Sequence, residues 1–296
     1  MTSMQDLDLA SMLRRPECAY GTLMLSPLPT FAAALAGTGV DFVFIDTEHV
    51  PLDRGLLESM CFAYRQLGIP PLVRVPKADA VLARAVIDAG ACGVVASYME
   101  TVAEVQELRK AVKLKPLQGE LLRVAMSEPE RFAREHPKTK AFVDRKQQPC
   151  ALVINVESQV AIDNLDAMLS VPGVDAILVG PHDLSCNLGV PEDFESPVFQ
   201  EALRTIFGKA RAANVGAGIH QGMPPTTPGM TPDYAGKWVG EYGCNVYVHS
   251  ADVGLFATQL KRDIGAIRES EAGAPRDEEA NGGIRKRARK ETVPII

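Results

Sequence analysis

Short apolar runs alternate with longer amphipathic segments along most of the chain. Runs rich in apolar and β-forming residues occupy 20–25, 42–46, 72–75, 93–97, 150–156, 176–180, 216–220 and 245–249. Apolar residues recur at helical spacing over 30–35, 56–67, 80–89, 102–112, 160–169, 199–213 and 251–267. The short runs lack inside/outside alternation, as strands buried on both faces do. Strand and helix in turn predict a parallel sheet. Eight such units in about 250 residues match an α/β fold of the (β/α)8 or TIM-barrel type. An open doubly wound sheet competes, but it would place a glycine-rich phosphate loop after its first strand, where this chain has GTLMLSPLPT.

Two stretches break the rhythm. Residues 116–149 are long and polar, with a short helix expected at 129–136, and 222–233 reads GMPPTTPGMTPD. Both are expected to follow strand C-termini and overhang the catalytic face. Residues 1–17 are weakly patterned, 18–270 form the barrel domain, and 271–296 (EAGAPRDEEANGGIRKRARKETVPII) read as a disordered charged tail. The basic cluster at 285–290 is read as solvated, with a nuclear-localisation or polyanion-binding patch as the alternative.

Composition narrows the class of protein. Apolar residues make up 46% and charged residues 23% of 296, so a sizeable core is expected and general disorder is excluded. The 31 basic against 37 acidic residues give a formal charge of −6, a surface that repels nucleic acid. Six cysteines without a C-x-x-C pair read as small buried hydrophobes of a reducing compartment. No signal peptide and no run long enough to cross a bilayer is evident, so a cytoplasmic protein without a membrane partner is expected.

Polar residues gather at the predicted strand ends, where a barrel builds its chemistry. The second strand ends in Asp46-Thr47-Glu48-His49, the third holds Arg74, and the fifth carries Asn155 and Glu157. The sixth ends in Gly180-Pro181-His182-Asp183, the seventh in His220 and the eighth in His249. Glu157 or Asp183 alone could complement the dipole of the helix that follows. Together, on neighbouring strands, they suit a hard divalent cation, Mg2+ or Mn2+ rather than zinc. Arg74, set between valines, requires an anionic partner: a salt bridge to Glu157 or Asp46, or a substrate carboxylate or enolate oxygen. His49, after two acids, is the preferred general base, with a structural histidine as the alternative.

The strings FVFIDTEHVPLD, LVRVP, AVIDAGACGVV, INVES and VGPHDLSCNLG, in this order between about residues 21 and 260, resemble the HpcH/HpaI aldolases. These are metal-dependent pyruvate aldolases, with macrophomate synthase among their relatives. The resemblance implies a barrel of the phosphoenolpyruvate/pyruvate-domain type and a homo-oligomer, a hexamer or trimer of dimers, whose subunits exchange the C-terminal helix at 251–267. It implies that Glu157 and Asp183 hold the metal, to which a 2-oxo acid presents its keto and carboxylate oxygens. Gly180, Pro181 and His182 of the following turn, with Asn155, would contact that substrate. Arg74 would stabilise the enolate, and His49 would take the C4-hydroxyl proton. Asp88 would raise the basicity of His49, with Asp46 and Glu48 in support.

Departures from the family pattern lie at Ala96-Ser97 in place of Val-Pro, at 115–121, at Asn155 in place of Gln, and at His182 in place of a small residue. The expected reaction is cleavage or formation of a 4-hydroxy-2-oxo acid, with an aldehyde as the second small-molecule partner. Alternatives are an oxaloacetate decarboxylase or carbon–carbon bond-forming enzyme like macrophomate synthase, and a non-catalytic metal-binding barrel.

Overall fold

The computed structural model describes residues 7–221 and 232–273. The chain divides into a unit of residues 1–256, which contains the barrel, and a unit of residues 257–296. Eight parallel strands close on themselves in chain order: β1 (Ala19–Met24), β2 (Phe42–Asp46), β3 (Pro71–Val75), β4 (Gly93–Ala96), β5 (Ala151–Val156), β6 (Ala176–Val179), β7 (Gly216–Gln221) and β8 (Val246–Ala251). This is the (β/α)8 barrel that the alternation predicts.

Burial explains why the strand runs show no polar alternation. Each of β2 to β6 is buried at every position. Val43, Ile45, Val73, Val94, Leu152, Ile154, Ile177 and Ile219 face the helical layer. Phe42, Phe44, Leu72, Val95, Ala151, Val153, Ala176, Leu178, Val246 and Val248 pack inside the barrel. Both faces are therefore apolar, and period-two patterning vanishes.

The N-terminal end of the barrel is plugged. Within the weakly patterned first 17 residues, Leu9–Arg14 forms a helix whose Asp8 cap accepts the Ser11 N–H at 2.8 Å. Leu9 and Leu13 are fully buried in the interior cluster. Gly216 lets the plug approach, because a Cβ there would lie 2.2 Å from the Leu13 carbonyl oxygen. The plug is anchored by Asn245, whose Nδ2 donates to the Leu13 carbonyl at 2.9 Å, and by Arg14, which pairs with buried Asp175.

The 116–149 stretch differs from expectation in content and in place. It forms three helices, Gly119–Ser127, Pro129–Glu135 and Pro137–Gln147, which pack a small core of Leu117, Val124, Phe132 and Val143. The helix Val102–Val112 follows β4 and carries the chain back to the N-terminal end before this stretch begins. The stretch ends there too, where the Pro149 carbonyl accepts the Ala10 N–H at 3.1 Å. Neither end hangs over the catalytic mouth.

The expected helix at 160–169 is two short ones, Gln159–Asp163 and Leu165–Leu169. Most of the 222–233 run, the tail from 274 onward and the basic cluster at 285–290 lie outside the described residues. The helix Asp252–Gly273 extends three residues into the segment read as tail. In its second-unit portion, Leu260, Ile264 and Ile267 are exposed at i, i+4 and i+7 spacing. Among the described residues, no helix is long and apolar enough to cross a membrane.

Candidate active site

Parallel strands bring all their C-terminal ends to one mouth, so residues far apart in sequence meet there. Asp46 and Arg74 stand opposite each other in the β2–β3 register. Arg74 donates from Nε to Asp46 Oδ1 at 2.9 Å and from Nη2 to Oδ2 at 2.6 Å. Both side chains are buried, so this two-bonded pairing is the partner that the dry strand environment demanded of Arg74. Burial alone would push Asp46 toward its neutral form, but Arg74 and the Glu48 N–H outweigh it and hold the carboxyl below its usual range. At Arg74, Asp46, with the charges of Glu48 and Glu157, outweighs desolvation and keeps the guanidinium charged.

Glu48 links this pair to His49. Its Oε2 lies 3.2 Å from Arg74 Nε, accepts the Ser97 hydroxyl at 2.5 Å, and stands 3.6 Å from His49 Nε2. His49 itself is exposed at the rim. Ser97, read in the sequence only as a departure, is therefore the residue that anchors Glu48.

Glu157 is held in the mouth by hydrogen bonds and not by an ion pair. It is 2% exposed, accepts the Tyr98 N–H at 2.8 Å on Oε2, and accepts Asn155 Nδ2 at 2.8 Å on Oε1. Burial raises its pKa to about 7; Asp183 adds to the rise, while the Tyr98 N–H, Arg74 and Asn155 oppose it. No ion-pair partner approaches it among the described residues. Gly180 accommodates it, since a Cβ there would lie 2.1 Å from Glu157 Oε1. Asp183 stands in the first turn of the helix Pro181–Asn187, for which Gly180 is the cap.

Tyr98 was not legible in the sequence as a site residue. Its backbone is left-handed, with φ of 54°, a strained conformation for a residue with a side chain. That turn aims its N–H at Glu157, and its hydroxyl accepts Asn187 Nδ2 at 2.6 Å. It thereby ties the end of β4 to the helix that carries Asp183. No sequence signal marks the strain, because Tyr is not a residue type that favours it.

The residues present suit a divalent cation. Among the described residues, Glu157 is a buried carboxylate without an ion-pair partner, Asp183 is its neighbour, and Asn155 Oδ1 is buried with no hydrogen-bond partner. No cluster of three His, Cys, Asp or Glu side chains of metal-binding arrangement occurs among the described residues. A two-carboxylate site leaves positions for water and substrate oxygens.

Two predicted site residues stand apart. Asp88 ends the helix Ala80–Asp88, which runs from the mouth back to the N-terminal end, and there it is exposed and paired with Lys115. Within one chain it cannot act on His49, because every connecting helix of a parallel barrel reverses direction. His182 turns to the rim, its Nδ1 3.1 Å from Glu192 Oε1. Pro181 is buried as the first residue of its helix, a position that needs no N–H.

Comparison with known proteins gives the family and the fold. The family model described as HpcH/HpaI aldolase/citrate lyase matches residues 21–219. The 2-keto-3-deoxy-L-rhamnonate aldolase of Klebsiella pneumoniae is 28% identical over 90% of this chain and 94% of its own. The 2-dehydro-3,6-dideoxy-6-sulfogluconate aldolase of Pseudomonas putida is 26% identical over 88% of this chain and 97% of its own. A solved HpcH/HpaI aldolase/citrate lyase family structure from Burkholderia cenocepacia superposes with a TM-score of 0.72 at 26% identity, over 88% of this chain and 99% of the other.

Proposed function

The chain belongs to the HpcH/HpaI aldolase/citrate lyase family, and from that membership we propose that it is a metal-dependent carbon–carbon lyase cleaving or forming a 4-hydroxy-2-oxo acid. Both curated relatives are named for aldolases of 2-oxo-3-deoxy acids, which fits this substrate class. The observation that carries the reading is Glu157: a buried carboxylate lacking a counter-ion, beside Asp183 and within the field of Arg74.

Glu157 and Asp183 would hold Mg2+ or Mn2+, which supplies Lewis-acid polarisation of the 2-oxo acid's keto and carboxylate oxygens. The remaining work falls to the chain's own groups. The turn from Gly180 to Asp183 supports the carboxylate end. Arg74, fixed by Asp46, faces the C2 oxygen and stabilises the negative charge that develops on it. His49, oriented by Glu48, takes the proton of the C4 hydroxyl. The C4–O electrons then form the aldehyde carbonyl, the C3–C4 bond breaks, and its electron pair becomes the pyruvate enolate. Protonation at C3 completes cleavage, and the reverse order gives condensation.

Proton–deuterium exchange at the pyruvate methyl group, followed by NMR with Mg2+ or Mn2+ and with EDTA, tests the donor half without knowledge of the aldehyde. Metal-dependent exchange that is lost in Glu157→Gln is the expected result. Its absence with every divalent metal overturns pyruvate as donor. The separate role of His49 is tested by His49→Ala, which should abolish aldol cleavage yet largely spare oxaloacetate decarboxylation. Equal loss of both would overturn that assignment. The exposed apolar positions Leu260, Ile264 and Ile267 support assembly into a homo-oligomer.

A further inference from the structure

Near its C-terminal end strand β7 carries a side chain that the chemistry above does not use. His220 alternates with Gly216 and Gly218 along β7, while Ala217 and Ile219 pack in the outer core. It follows the Val179–Ile219 pair and so stands level with Gly180. Its imidazole stacks on Phe44, centroids 6.0 Å apart and planes inclined by 15°. The Arg74 guanidinium carbon lies 5.4 Å from the centre of the same phenyl ring. One interior aromatic side chain therefore borders both the cation that faces the substrate's C2 oxygen and the imidazole.

One ring nitrogen of this imidazole lacks a hydrogen bond. Among the described residues, Nε2 is buried without a hydrogen-bond partner, and so is Asn155 Oδ1 on β5. Buried polar atoms of native proteins are ordinarily paired, so a site that leaves one open awaits a ligand group. Burial, reinforced by the charges of Arg74 and His49 and opposed by Asp46, lowers the His220 pKa to about 3 and keeps the ring neutral. Nε2 of a neutral imidazole presents either an N–H or a lone pair according to tautomer; a hydroxyl is a partner for both, whereas a carboxylate is a partner only for the first. In a 2-oxo acid whose C2 oxygen lies at Arg74, C3 is the next carbon, and the Phe44 ring that borders the guanidinium also borders His220.

We propose that His220 determines donor specificity by hydrogen-bonding a hydroxyl on C3 of the bound 2-oxo acid, so that the chain favours donors of the hydroxypyruvate class over pyruvate. This rests on the lyase reading above and goes beyond the 3-deoxy acids for which the two relatives are named.

The test compares deuterium exchange at C3 of hydroxypyruvate and of pyruvate on the full-length protein with Mn2+, as the ratio of the two kcat/KM values. Wild type should favour hydroxypyruvate. His220→Leu should lower the ratio about 10-fold, the loss of one substrate hydrogen bond, while His220→Gln, which keeps a donor and an acceptor, should restore part of it. An unchanged ratio in the Leu variant overturns the inference and leaves the lyase reading intact. So does a wild-type preference for pyruvate, which decides the matter even if the Leu variant does not fold. Exchange of neither donor by the wild type overturns the lyase reading, and the inference with it.

Discussion

Glu157 and Asp46 are both buried carboxylates, yet their environments drive them in opposite directions. Asp46 has a guanidinium in contact and stays ionised, whereas Glu157 has hydrogen-bond donors and another carboxylate nearby and feels Arg74 without pairing with it. Between the ordinary value of 4.5 and about 7, the native metal-free protein keeps a proton on Glu157 that the unfolded chain has released. Stability of the metal-free form should therefore fall by about 3 kcal/mol as pH rises through that window, and level off above it. Metal must displace the same proton. Mn2+ affinity, measured calorimetrically, should rise about tenfold per pH unit up to about 7 and flatten beyond; a flat profile from pH 5 to 8 would contradict the assignment. Asp46→Asn leaves the Arg74 charge buried without its main partner, and denaturant unfolding should report a loss of about 3–5 kcal/mol.

The strand ends and the elements beyond them decide how well the site is held. Gly180 lies against the Glu157 carboxylate because β5 and β6 are neighbours and their residues stand level. Gly180→Ala should displace Oε1 and weaken Mn2+ binding about 10–100-fold, read by titration, while circular dichroism stays that of a folded barrel. At the other end, the helix Leu9–Arg14 closes the interior with residues that touch none of the chemistry. Leu13→Ala should reduce unfolding free energy by about 2–5 kcal/mol without changing metal affinity. A large effect on affinity there would mean that the plug and the mouth are coupled.

For the molecule as a whole, the exposed side chains of the helix Asp252–Gly273 are the feature that a lone chain leaves unexplained. Leu260, Ile264 and Ile267 are three apolar residues on one helical face. With assembly driven by that face, the wild type should sediment as an oligomer. Leu260→Asp combined with Ile264→Asp should shift it to smaller species in analytical ultracentrifugation. A monomeric wild type at micromolar concentration would remove the argument for assembly.

The order of strands and helices, the two-faced burial of the strands and the gathering of Asp46, Glu48, His49, Arg74, Glu157 and Asp183 at one mouth were all legible in the amino-acid order. Each depends on local periodicity and on the rule that parallel strands share a C-terminal end. Other features arise only from contacts between residues distant in sequence. Arg74 pairs with Asp46 rather than Glu157 because of the β2–β3 register. The strained turn at Tyr98, the hold of Ser97 on Glu48 and the bare Nε2 of His220 on Phe44 have no sequence signature at all. Asp88 and the 116–149 stretch sit at the other end of the barrel because an intervening helix reverses the chain, a direction that residue spacing alone does not encode. Periodicity along one strand carries the fold; which charge meets which partner, and how much water is left around it, is decided by the closure of the barrel.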